Sequence, residues 1–373
     1  MAHNKKTLWV VILALSILML IIPATKGVFK GKESSTSKDI ILLKEIEVPH
    51  SSQINYKKFQ EGLIQYWDGV LFSYSSSGQQ NWSLHLGVVN PIIKVNLDNV
   101  YVFDQSKNQL IRINNKGEVV YRTVIEKPLS SLQVCSNNYV LINHERIDNS
   151  PINYLLILNE EGKITGEISL NSGDIINTTI SQKASRVVLH TLELQAGNLV
   201  KSLLIYDLKG NLIRLDSIED ILLSMHYNND KLVGIIKDSI ISWGKNGEEL
   251  WSVNTQMIKN INVLSEENIV IFEGNNEKTG LIQGRSSENI KVLNYNGNII
   301  GERGIKVNIA GIDVGKEKIL YYTDRTVFIL NDRGQLKMEY KYNSDIEQAY
   351  VFPQNYFTIV TKEKISFFKT QEK

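Results

Sequence analysis

Leu110-Ile-Arg-Ile-Asn-Asn-Lys-Gly117-Glu-Val-Val-Tyr121-Arg-Thr-Val124 decides the fold. A β-branched run enters a short polar turn that ends in glycine, and a second β-branched run leaves it. This is a hairpin whose glycine supplies the positive φ of a tight turn. The same unit recurs around Gly78, Gly162, Gly210, Gly247, Gly297 and Gly334. Successive spacings are 39, 45, 48, 37, 50 and 37 residues, so six intervals cover 256 residues, about 43 per repeat. That period suits one four-stranded propeller blade and exceeds a leucine-rich repeat. Two more strand-like runs lie between hairpins, such as Pro91–Leu97 and Asn99–Gln105, which makes four strands per unit.

The ends of the repeat predict how the ring closes. After the seventh unit, Asp345–Pro353, Tyr356–Lys362 and Lys364–Lys369 offer three strands with no fourth. An orphan run, Ile40–Val48 (IILLKEIEV), stands before the first unit. Pairing it with the last three strands leaves no open sheet edge. The expected fold is all-β: a propeller of eight four-stranded blades over residues 40–373, closed by an N-terminal strand. Seven blades is the alternative if the first unit is irregular.

Three units carry an aromatic residue four positions after the repeat glycine: Trp82, Tyr121 and Trp251. The others have Gly166, Arg214, Gly301 and Met338 there. A fixed offset argues for packing between neighbouring blades rather than a ligand-stacking cage. With these residues the chain resembles the quinoprotein-dehydrogenase-like propellers with PQQ-like repeats, over about residues 40 to 370. It is also similar to bacterial envelope proteins that join one N-terminal span to such a propeller. The quinone-binding members of that group use a vicinal cysteine pair and a calcium site. The single cysteine here, Cys135, cannot supply the pair, so no cofactor is expected. Its strand-like setting predicts an inert buried thiol.

Upstream of the repeat, Thr7–Ala24 is an uncharged apolar run of 18 residues, long enough for a helix to span a membrane. No A-x-A-like cleavage site follows it, and no cysteine stands where a lipoprotein needs one. The expected organisation is a basic tail (1–6), a transmembrane signal anchor (7–25) and a flexible tether (26–39) rich in Lys, Ser, Thr and Gly. Lys5 and Lys6 precede the span, while Lys26, Lys30 and Lys32 follow it, so the positive-inside count is nearly tied. The basic head before an apolar run favours the N-terminus inside and the propeller outside the cytoplasm, in a single-pass cell-membrane protein.

With 41 basic and 40 acidic residues interspersed, no field of one sign is available to attract nucleic acid. The six histidines never fall at i, i+2 or i, i+4, which predicts no metal site. G-x-S-x-G is absent, and the phosphate-loop imitations at Gly27–Lys32 and Gly311–Glu317 have one residue too few between the glycines. Asn81 and Asn177 head N-x-S/T sequons. No catalytic constellation emerges.

Loop length provides the functional hint. Three units carry extensions between the second and third strands: Glu145–Asn153, Glu193–Leu199 and Glu273–Asn289. Propeller topology sends such loops to the face that also bears the inter-blade connections, and long loops on a rigid scaffold commonly carry binding. The candidate binding face comprises Glu145, Arg146, Asp148, Asn275, Asn276, Glu277, Lys278 and Arg285. The expected function is a non-catalytic scaffold holding an envelope protein or wall polymer. The alternatives are an envelope hydrolase or lyase acting on polysaccharide, and a sensor taking a small ligand in the central channel.

Overall fold

The computed structural model describes residues 39–49, 54–96, 98–144, 152–181, 185–228, 231–263, 268–274 and 288–371. The chain divides after Ser37, and the described residues belong to the second unit, Lys38–Lys373. The predicted basic tail, anchor and nearly all of the tether lie outside the described residues. Among the described residues no helix is long and apolar enough to cross a membrane.

Among the described residues, thirty-two strands form eight four-stranded antiparallel sheets. Blade 1 is β2 (Asn55–Phe59), β3 (Gly62–Trp67), β4 (Val70–Ser75) and β5 (Gln80–His85). Blade 2 is β6 (Ile92–Val95), β7 (Asn99–Asp104), β8 (Gln109–Asn114) and β9 (Val119–Val124). Blade 3 is β10 (Leu129–Val134), β11 (Val140–His144), β12 (Asn153–Leu158) and β13 (Ile164–Leu170). Blade 4 is β14 (Asp174–Ile180), β15 (Val187–Gln195), β16 (Asn198–Tyr206) and β17 (Leu212–Ser217). Blade 5 is β18 (Ser224–Asn228), β19 (Lys231–Ile235), β20 (Ser239–Trp243) and β21 (Glu249–Asn254). Blade 6 is β22 (Met257–Val263), β23 (Asn268–Gly274), β24 (Glu288–Asn294) and β25 (Ile299–Ile305). Blade 7 is β26 (Gly311–Val314), β27 (Lys318–Tyr322), β28 (Thr326–Asn331) and β29 (Leu336–Lys341). Blade 8 joins β30 (Gln348–Val351), β31 (Tyr356–Val360) and β32 (Lys364–Gln371) to β1 (Asp39–Glu47) from the other end of the chain. The seven-blade alternative is therefore excluded, and the orphan strand closes the ring as expected. Its pairing with β32 runs from Asp39↔Gln371 to Glu47↔Lys364, with a bulge between Leu42 and Lys44.

The seven hairpin turns share one construction. Each repeat glycine has φ between 73° and 85° and donates its N–H to the carbonyl three residues earlier at 2.9–3.2 Å. In five turns that earlier residue is Asn114, Asn159, Asp207, Asn294 or Asn331, whose Oδ1 accepts the N–H groups two and four residues on. The side chain thus satisfies turn donors that no ladder reaches. A register shift follows in each case, as a glycine bulge requires.

Hydrophobic burial is divided among eight slabs, one in each seam between adjacent blades. Both faces of a blade are therefore covered. This explains why inner strands such as β7 (NVYVFD) are buried throughout, whereas rim strands such as β9 and β17 alternate. Cys135 lies in the slab between blades 3 and 4, and burial pushes its thiol up to about 12, which suits the inert role read from sequence.

The residue four after each repeat glycine sets the seam. Trp82 lies against Gly117 of the next blade and donates Nε1–H to Asn115 O at 2.8 Å; Trp251 lies against Gly297 and donates to Tyr295 O at 3.0 Å. Tyr121 covers Gly162 in the same manner. Arg214 takes that place in blade 4, stacking on Gly247 and donating to Lys245 O at 3.4 Å. Where the position is glycine, at Gly166 and Gly301, the backbone of the next turn closes directly onto the strand and a Cβ would lie 2.4 or 2.2 Å from a carbonyl oxygen. The aromatic offset is thus inter-blade packing, and its degenerate members are alternative solutions to one contact.

Candidate functional site

One end of the ring carries both the turns between second and third strands and the connections between blades, and backbone bonds tie the two together. The N–H groups of Leu86, Ile125, Thr255 and Tyr342 donate to Gly69, Asn108, Asp238 and Arg325 at 2.7–2.8 Å. This upper face is the one the extensions were expected to build. Glu145, Arg146 and Asp148 lie outside the described residues, as do Asn275, Asn276, Glu277, Lys278 and Arg285.

The flanks of those extensions are described, and they are structural. Glu273 and Glu288 are not loop residues: they end β23 and begin β24, within a paired ladder. Lys291 Nζ meets both oxygens of Glu273 at 2.9 and 2.8 Å, Gln256 N donates to the same carboxylate, and Lys259 pairs with Glu288. His144, which ends β11, is buried with Nδ1 3.1 Å from Pro128 O.

The middle extension, Glu193–Leu199, is a correction to the reading as a loop. It is strand: β15 and β16 stay paired to Gln195↔Asn198, leaving a two-residue turn with Ala196 at φ 48° and Gly197 at φ 83°. Uninterrupted alternation past the expected strand end, closed by Ala-Gly, was the signal in the sequence. β14 accompanies β15 as far as Leu192, and β17 accompanies β16 from Ser202, so the tip stands beyond its own sheet as a two-stranded ribbon. On one side of that ribbon Leu194 and Leu199 face each other across the strands, 73% and 47% exposed. The connection at Gly173 braces its base, close to Leu192 O and Glu193 Cβ.

A recess of about 340 Å³ opens between blades 1 and 2 on the same face. Its walls are Asn55, the β3–β4 turn (Asp68-Gly69), the β5–β6 connection (Val88–Pro91), Tyr66 and Gln105. None of these appeared among the residues expected from sequence. The Asp-Gly turn and the Asn90-Pro91 step were legible as turns, but not as parts of one concavity.

At the axis, the first strands approach one another. Lys58 of blade 1 passes the closing blade to reach Asp313 of blade 7: Nζ lies 2.8 Å from Asp313 Oδ2 and 2.8 Å from Val314 O. Val351 N of blade 8 donates to the same Oδ2 at 2.8 Å. Burial pushes the Asp313 carboxyl up against the pull of the Lys58 ammonium. His190 and His226 lie on blades 4 and 5, and burial holds both imidazoles below the ordinary 6.5. Among the described residues no group of three or more His, Cys, Asp or Glu is placed to hold a metal. Asn177, which heads one sequon, donates Nδ2–H to Leu222 O at 2.7 Å across a seam, so its amide is already committed.

A family model described as a family of unknown function, DUF5711, matches residues 33–369. No curated protein matches the sequence. Among solved structures, BamB from Moraxella catarrhalis is similar at 12% identity and a TM-score of 0.53, covering 89% of this chain and 100% of that one. The C-terminal WD40 domain of Sif2 is similar at 10% identity and 0.59, covering 89% and 98%. Hsv2 from Kluyvelomyces marxianus is similar at 11% identity and 0.50, covering 79% and 100%. At these identities the likeness is one of fold.

Proposed function

The chain belongs to this family of unknown function, and we propose that its propeller is a non-catalytic scaffold, anchored in the cell membrane with the ring outside the cytoplasm. It holds an envelope protein on the face from which the β15–β16 ribbon rises. The observation that carries the reading is the exposed Leu194–Leu199 pair. Two aliphatic side chains side by side on a ribbon outside its sheet are only partly covered by the fold, and a partner would bury the remainder. The deeply set carboxylates of Glu273, Glu288 and Asp313 are each tied to a lysine, which suits framework better than acid–base work. Anchoring rests on the apolar run Thr7–Ala24 and the basic residues before it.

The test uses the full-length protein in its membrane. Crosslinking followed by identification should recover a partner with the native protein and lose it with a Leu194→Glu/Leu199→Glu variant that retains the native melting temperature. Recovery of the same partner by the variant would refute the assignment of the ribbon. Protease added outside cells stripped of any outer barrier should cut the ring; protection until lysis would reverse the orientation.

A further inference from the structure

We propose that the recess between blades 1 and 2 is a binding site for a neutral carbohydrate, independent of the β15–β16 ribbon. Its walls are tied to one another by hydrogen bonds. Tyr66 Oη donates to Val88 O at 2.5 Å, Gln105 Nε2 donates to Asn90 O at 3.0 Å, and the N–H groups of Leu86 and Gly87 both donate to Gly69 O. Such walls are formed before a ligand arrives, which lowers the cost of binding. Asn90 is held at φ 53° directly before Pro91, a combination that proline disfavours, and the bond from Gln105 helps keep it there.

The groups left over define the ligand. Among the described residues the side chains of Asn55, Asp68 and Asn90 make no hydrogen bond, and Gln105 keeps its amide oxygen free. A sugar hydroxyl is both donor and acceptor, so planar amides and a carboxylate match it. Val89 and Pro91 offer apolar surface for the C–H face of a ring. No lysine or arginine lines the recess, which disfavours phosphates, nucleotides and uronates, and one carboxylate among neutral amides is a poor cation site. The volume is at the small end of ligand pockets and admits a sugar ring or two.

The full-length protein would be titrated by calorimetry with cellotetraose, chitotetraose and maltotetraose, and with inorganic polyphosphate as an anionic comparison. Saturable binding of at least one neutral oligosaccharide is expected, weakened about tenfold by Asn55→Ala, which removes one good hydrogen bond, and by a smaller factor by Asp68→Asn, which keeps an acceptor oxygen but loses its charge. Val89→Trp, placed at the mouth, should block it. All three variants should keep the native melting temperature, and the ribbon variant Leu194→Glu/Leu199→Glu should bind normally, separating this site from the scaffold reading. No neutral oligosaccharide bound at millimolar concentration, polyphosphate bound in preference, or equal binding by the native protein and all three recess variants would overturn the proposal.

Discussion

At the residue scale the repeat glycines do two jobs that substitution separates. Gly117 has φ 83°, and a Cβ there would meet the Trp82 ring at 2.7 Å, whereas Gly197 has the same φ with nothing within 4 Å. Alanine at Gly197 should therefore cost only the left-handed backbone, about 1 kcal/mol. Alanine at Gly117 should add overpacking against Trp82 and cost about 2–4 kcal/mol in all. Chemical denaturation of the two variants checks the difference; equal losses would mean the Trp82 contact is soft. His190 supplies a second test. It is 0% exposed, and the nearby Leu222 carbonyl already accepts from Asn177. Its folded pKa is depressed, so the unfolded chain takes up the proton first. The stability it contributes is complete above about 6.5 and is lost as pH falls below that value. Melting temperature should drop between neutral pH and pH about 5 in the native protein and drop less in His190→Leu. Glu45 acts in a separate window. Its hydrogen bond from Lys364 holds its carboxyl below 4.5, so what it contributes is present above 4.5 and goes only at lower pH.

The element that matters most to integrity is β1. Its bonding to β32 continues as Val48 N donates to Glu363 O, and Glu45 meets both Lys364 Nζ and Ser366 Oγ. Without it, β32, with buried Phe367 and Phe368, becomes an open apolar edge, a template for association. A protein beginning at Ser51 should aggregate where one beginning at Lys38 stays monomeric by light scattering. Equal solubility and equal melting temperature would show that the ring closes without β1. The same logic bounds experiments on blade 6: because Glu273 and Glu288 belong to the ladder and each pairs with a lysine, any shortening of the extension must leave both in place.

For the molecule as a whole, closure is made twice, at the rim by β1 and at the axis by Lys58, which spans from blade 1 to Asp313 of blade 7 with Val351 N of blade 8 between them. Removing one partner of a largely buried ion pair leaves the other uncompensated. Lys58→Met should thus destabilise the ring by about 3 kcal/mol, and adding Asp313→Asn should restore part of that. Its sign with pH is distinctive. The Asp313 carboxyl already titrates high, so acid neutralises it and the deficit of Lys58→Met relative to the native protein should shrink as pH is lowered. A deficit constant with pH would mean that lost packing of the lysine stem, rather than charge, is responsible.

The ring was legible in the sequence because its information is local and repeated. A polar turn ending in glycine marks each hairpin, a β-branched period marks each strand, and an unpartnered run at one end matches a missing strand at the other. The aromatic offset was legible for the same reason, since Trp82 and Trp251 recur at a fixed distance from the glycine. What tertiary structure decided depends on residues far apart in the chain: Lys58 finding Asp313, Asn55 sharing a recess with Asn90 and Gln105, and Gly166 and Arg214 answering the same seam contact in different ways. The β15–β16 ribbon lies between these cases, because alternation past the expected strand end was visible, but its projection beyond β14 and β17 depended on where those neighbours stop. A repeat writes its turns and strands once per blade, whereas a site is written by side chains that meet only when separate blades are brought together.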